Sequence, residues 1–107
     1  MKPYEDILKR RLIKKGLESR VIEEFLSGGR VLDVDAFIIA EELRKLGAEV
    51  IYENEVGDLL ETPIYAIVLR LGGIVALYKA SSTEHSIRTY GSTNDAVREA
   101  EAFISKQ

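Results

Sequence analysis

Ile64-Tyr65-Ala66-Ile67-Val68-Leu69-Arg70-Leu71-Gly72-Gly73-Ile74-Val75-Ala76-Leu77-Tyr78-Lys79 is the stretch from which the rest of the chain can be read. Two nearly unbroken apolar runs flank a glycine pair, the pattern of two strands joined by a tight turn. The first run, Ile64 to Leu71, does not alternate with polar residues, so its strand is expected to be covered on both faces. Upstream, Ala48, Val50 and Tyr52 alternate with Glu49, Ile51 and Glu53, which predicts a strand with one wetter face. Asn54 to Pro63 is polar, contains Gly57 and reads as a loop. Downstream, Ile87 and Thr89 alternate with Arg88 and Tyr90, so His85 to Tyr90 is expected to add a shorter strand.

Helical spacing governs both ends of the chain. Tyr4, Ile7, Leu8 and Leu12 recur on one face of a first helix that ends at Gly16, and its cations crowd the C-terminal turns, where the helix dipole favours them. Val21, Ile22, Phe25 and Leu26 make a second, short helix, ended by Ser27-Gly28-Gly29. A third helix covers 33–46, with Asp33 or Asp35 as its cap, Phe37, Ile38, Leu43 and Leu46 as apolar surface, and Gly47 at its end. The last helix covers 93–105, capped by Ser92 or Thr93, with Ala96, Val97, Ala100, Phe103 and Ile104 in one stripe.

This order predicts an α+β domain. Three N-terminal helices precede a three- or four-stranded antiparallel or mixed sheet, and a C-terminal helix packs on that sheet. At 107 residues the chain fits one domain, a helical basic head over 1–30 followed by an α-β-β-β-(β)-α core over 31–107. The helices 33–46 and 93–105 are expected to cover the sheet's main hydrophobic face.

Composition narrows the chemistry. Hydrophobic residues at 46% and charged residues at 31% fit an ordinary globular protein. The chain has no cysteine, which excludes disulfides, thiolate zinc sites and a cysteine nucleophile. No segment approaches the roughly 18 apolar residues of a membrane span, and the acidic start lacks a signal-peptide core, so a cytoplasmic location with no membrane partner is expected. Net charge is −3 but unevenly placed. Residues 1–30 hold eight Lys/Arg against five Asp/Glu, 31–61 two against nine, and 62–107 five against four.

Reactive constellations are scarce. The two glycine pairs lack phosphate-loop or dinucleotide spacing, no serine sits in a nucleophile elbow, and the single histidine, His85, cannot build a multi-histidine metal site. Tyr78, Lys79, His85 and Tyr90 could together serve metal-free RNA cleavage, but strand alternation would scatter them over both faces. No cofactor is implied.

From Ala36 to Ser82 the chain resembles the core of archaeal Holliday-junction resolvases and other restriction-enzyme-like nucleases. Glu42-Leu43-Arg44-Lys45-Leu46-Gly47 leads into Glu49-Val50-Ile51, and the hairpin ends in Leu77-Tyr78-Lys79. In that family the hairpin carries an Asp and then Glu-x-Lys. Here Lys79 matches the lysine, Leu77 replaces the glutamate, and Tyr65 or Ala66 replaces the aspartate. The carboxylates that hold the divalent ion are missing, with Asp58 and Glu61 (beside Glu53 and Glu55) as the weak substitutes.

The resemblance therefore implies a non-catalytic, nuclease-like domain that acts as an accessory nucleic-acid-binding or assembly subunit, with nucleic acid or a nucleic-acid-processing protein as its partner. Lys79, Ser81 and Arg88 would be the phosphate contacts, helped by Lys9, Arg10, Arg11, Lys14 and Lys15. The alternative is a protein-interaction or homo-oligomerisation module, in which the basic head and the acidic stretch 49–61 select the partner. The helix, three strands, helix order of 36–105 is also that of double-stranded-RNA-binding domains, whose lysine-rich final helix start is replaced here by Thr93-Asn94-Asp95.

Overall fold

The computed structural model describes residues 3–57 and 62–106. Its elements run α1 (Pro3–Lys14), α2 (Ser19–Leu26), β1 (Val31–Leu32), α3 (Asp33–Lys45), β2 (Glu49–Val56), β3 (Ile64–Leu71), β4 (Ile74–Ala80), β5 (His85–Thr89) and α4 (Thr93–Ser105). The class is α+β, as the sequence indicates. All strand pairs are antiparallel and the sheet order is β1-β5-β4-β3-β2.

The sheet has five strands rather than three or four. The additional one, β1, pairs Val31 with Ile87 and Leu32 with Ser86. Two residues carry no period, so no sequence pattern announces such a strand. β2 also runs on through Asn54, Glu55 and Val56, where the polar sequence predicts a loop. Their pairing with Ala66, Tyr65 and Ile64 extends the hairpin and overrides their poor strand propensity.

The two long helices lie on opposite faces of the sheet, which corrects the expectation that both cover one face. Ile67, Leu69, Leu71, Ile74, Ala76, Tyr78 and Ile87 meet α1, α2 and α3 through Leu8, Leu12, Ile22, Phe25, Ile39 and Leu43. Ala66, Val68, Val75 and Leu77 meet Ala96 and Ala100 of α4. Unbroken apolar strands require this arrangement, because successive side chains point to opposite faces and both sets must leave water. It also departs from a fold with both helices on one face.

Local signals set the boundaries. Gly47 takes φ +93° after α3, and the amide of Ala48 donates back to the Leu43 carbonyl at 3.0 Å. Neither Asp33 nor Asp35 caps α3. Leu32 is the N-cap and has no side-chain bond, while Asp33 itself adopts φ +59° in the sharp passage from β1 into the helix. Ser92 does cap α4, its Oγ accepting from the Asp95 amide at 3.1 Å. A bulge between Val50 and Tyr52 breaks the alternation of β2. Ile51 and Tyr52 consequently both pack toward α4, whereas Val50, Glu53 and Glu55 share the side of α1–α3, opposite Leu69, Ile67 and Tyr65.

Candidate functional site

The head carries five of the predicted contact cations, and the fold separates them into two groups. Pro3 opens α1, Glu5 and Asp6 occupy its first turn, and Arg11 and Lys14 its last, in agreement with the dipole. Leu8 and Leu12 point into the core. Arg11 Nε donates to Glu42 Oε1 at 2.8 Å, and Lys45 and Lys15 approach Glu42 Oε2 at 3.4 and 3.9 Å. Glu42 is only 1% exposed. Burial pushes its carboxyl pKa up, but the hydrogen bonds and charges of Arg11 and Lys45 outweigh this and leave it below the usual range. Lys9 Nζ lies 3.0 Å from Glu23, whose hydrogen bond and charge raise the lysine's pKa.

Arg10 and Lys14 are left. Neither makes an ion pair among the described residues. Together with Arg11, Ile7 and Ile13 they line a surface groove of about 420 Å³. Ile7 is 38% and Ile13 54% exposed. Sequence reasoning placed Ile7 on the buried stripe and missed Ile13. The available signal was that Ile13 falls off the Leu8–Leu12 line and among the cations.

Lys79 and Ser81 line one notch on the other side of the sheet, beside α4, while Arg88, opposite Leu77, shares that face but not the notch. Lys79 is mostly buried, its Nζ 3.4 Å from Glu84 Oε2 and 5.3 Å from the Phe103 ring centroid. Glu84 also accepts from Ser86 Oγ at 2.7 Å and faces Arg30 at 3.8 Å. Burial raises the Glu84 pKa, but the Ser86 hydrogen bond and the Lys79 charge hold it below the ordinary value. Ser81 Oγ accepts from the amides of Thr83 and Glu84, at 3.3 and 3.1 Å, and so builds the β4–β5 turn. Arg88 lies over Tyr90 at 5.3 Å. The notch of about 250 Å³ here balances Lys79 and Lys106 against Glu84 and Glu99.

Tyr78 turns to the other face, where it meets Phe37 and Tyr65 edge-on at 6.4 and 6.3 Å. His85 pairs with Ala80 on that same face, so the Tyr78, Lys79, His85 and Tyr90 set is divided between the two sides. Among the described residues no three His, Asp or Glu side chains gather to hold a metal. Asp58 and Glu61 lie outside the described residues. None of the described helices is long and apolar enough to cross a membrane.

A last feature is the β2 side of the sheet, where no further strand pairs among the described residues. β2 is an outermost strand, eight residues long, with Glu49, Glu53 and Glu55 exposed along it. Glu49 meets Arg70 at 2.6 Å, and Glu53 accepts from the Tyr65 hydroxyl at 2.6 Å. Burial first, then Glu53, raises the Tyr65 pKa far above its ordinary value. Compared with known proteins, the chain matches no family model, no curated protein and no solved structure.

Proposed function

We propose that this chain is a non-catalytic protein-interaction module whose contact surface is the outer face of α1. One observation carries the reading: Arg10 and Lys14 make no internal ion pair among the described residues and flank two exposed isoleucines, Ile7 and Ile13. Exposed apolar side chains beside unpaired cations suit a protein surface with apolar and acidic groups, since the apolar contacts give affinity and the charges give orientation. Lys9, Arg11 and Lys15 serve the fold instead, through Glu23 and Glu42.

A second reading is the accessory nucleic-acid-binding domain of nuclease-like type. It is favoured by Arg88 over the Tyr90 ring and by Lys79 over Phe103 on the same sheet face, cation–aromatic pairings that nucleic-acid surfaces use. Fluorescence titrations with an acidic, leucine-containing peptide and with DNA and RNA oligonucleotides separate the two. The first reading expects peptide binding that Arg10→Glu with Lys14→Glu abolishes. Oligonucleotide binding with a steep salt dependence, unaffected by those changes and lost with Arg88→Glu, would replace it by the second.

A further inference from the structure

The partner that α1 requires has a counterpart on this same chain. Three of the nine carboxylates of segment 31–61, Glu49, Glu53 and Glu55, are displayed on β2, an outer strand of the sheet. After the bulge, Glu53 and Glu55 project to the side on which α1–α3 lie, and Val50, itself exposed, shares that side. These are acidic groups beside an apolar one, complementary to Arg10 and Lys14 beside Ile7 and Ile13. Two copies cannot readily pair edge to edge through β2, because an antiparallel β2–β2 ladder would set glutamates against glutamates.

We infer that the occupant of the α1 face is a second copy of this chain, each copy laying its α1 on the β2 edge of the other in a two-fold dimer. Such an interface is isologous: α1 meets the other copy's β2, and β2 meets the other copy's α1, so every favourable charge contact is made twice. This rests on the α1 reading above and names its partner. Its electrostatic part is weakened by salt, while the isoleucine and valine contacts persist.

The duplication permits a decisive test by sedimentation velocity over a dilution series. In one variant Arg10→Glu and Lys14→Glu make α1 acidic, and in another Glu53→Lys and Glu55→Lys make β2 basic. Circular dichroism confirms that each is folded. Each alone faces like charge at both contacts and is expected to dimerise on the order of a hundredfold more weakly than the original chain. Mixed, they offer an acidic α1 to a basic β2 and an unaltered α1 to an unaltered β2, so a mixed dimer of original strength is expected. A chain that stays monomeric throughout the series, or variants whose mixture stays monomeric, would overturn the dimer. In the first case a synthetic peptide of residues 49–56 is titrated onto the monomer: binding lost with the α1 variant leaves the α1 reading standing, and no binding removes both.

Discussion

Replacing Glu42 by Gln tests how the contact helix is held. The carboxylate is almost fully buried between α1 and α3 and receives Arg11 at 2.8 Å, Lys45 at 3.4 Å and Lys15 at 3.9 Å. Glutamine keeps the shape and one acceptor but removes the charge. A hydrogen bond to a charged group contributes about 1.5–3 kcal/mol and a neutral one about 0.5–1.5. The three cations are each nearly half exposed and recover hydration when the carboxylate is lost, which limits the penalty. The expected cost is about 1–2 kcal/mol. At 107 residues this corresponds to a fall in Tm of about 4–9 °C, followed by far-ultraviolet circular dichroism.

The sign of the pH dependence is fixed by the lowered pKa of Glu42 in the folded chain. A carboxyl whose folded pKa lies below its unfolded value of about 4.3 stabilises at neutral pH, and that contribution disappears as pH falls through the folded value. The difference in Tm between the original chain and Glu42→Gln should therefore be constant near neutrality and close in acid, once Glu42 is itself protonated. Equal Tm values at pH 7, or a difference that persists unchanged to pH 2, would refute the ionic tie between α1 and α3.

Other substitutions probe separate joints of the fold. Gly72→Ala places a Cβ 2.7 Å from the Tyr4 ring at a residue with φ +59°, so a loss of about 1–2 kcal/mol is expected in thermal unfolding, only partly relieved by adding Tyr4→Ala. Ser92→Ala removes the acceptor for the Asp95 amide and should cost about 1 kcal/mol in urea unfolding, without changing the slope of the transition. Leu77→Ala opens a cavity between the sheet and α4 and should cost about 2–5 kcal/mol by the same measurement; a loss below that range would mean that α4 collapses into the space.

The hairpin around Gly72-Gly73, the glycine ends of the helices and the Ser92 cap are legible because each is a local rule acting on adjacent residues. The same hairpin asks for a cover on each face, but which helix covers which face is set by tertiary packing, and the expectation that 33–46 and 93–105 share one face fails there. β1 and the end of β2 are not legible, because partners distant in sequence create them: Ile87 and Ser86 for Val31 and Leu32, Tyr65 and Ala66 for Glu55 and Asn54. The site follows the same division. The basic helix is plain in the sequence, but which cations stay available depends on Glu23 in α2 and Glu42 in α3, brought up only by helix packing. Lys79 reads as a strand-end cation, and only the β4–β5 turn reveals Glu84 as its counter-charge.

The most direct measurement is a methyl-resolved nuclear magnetic resonance titration of isoleucine-labelled Glu53→Lys, Glu55→Lys protein, whose α1 is unaltered and not covered by a second copy, with the peptide of residues 49–56. If the outer face of α1 is the contact surface, the methyl resonances of Ile7 and Ile13 shift with added peptide. Those of the buried Ile39, Ile67 and Ile87 stay in place. Unmoved Ile7 and Ile13 signals, with shifts confined to Ile104 beside the Lys79–Arg88 face, would contradict the account.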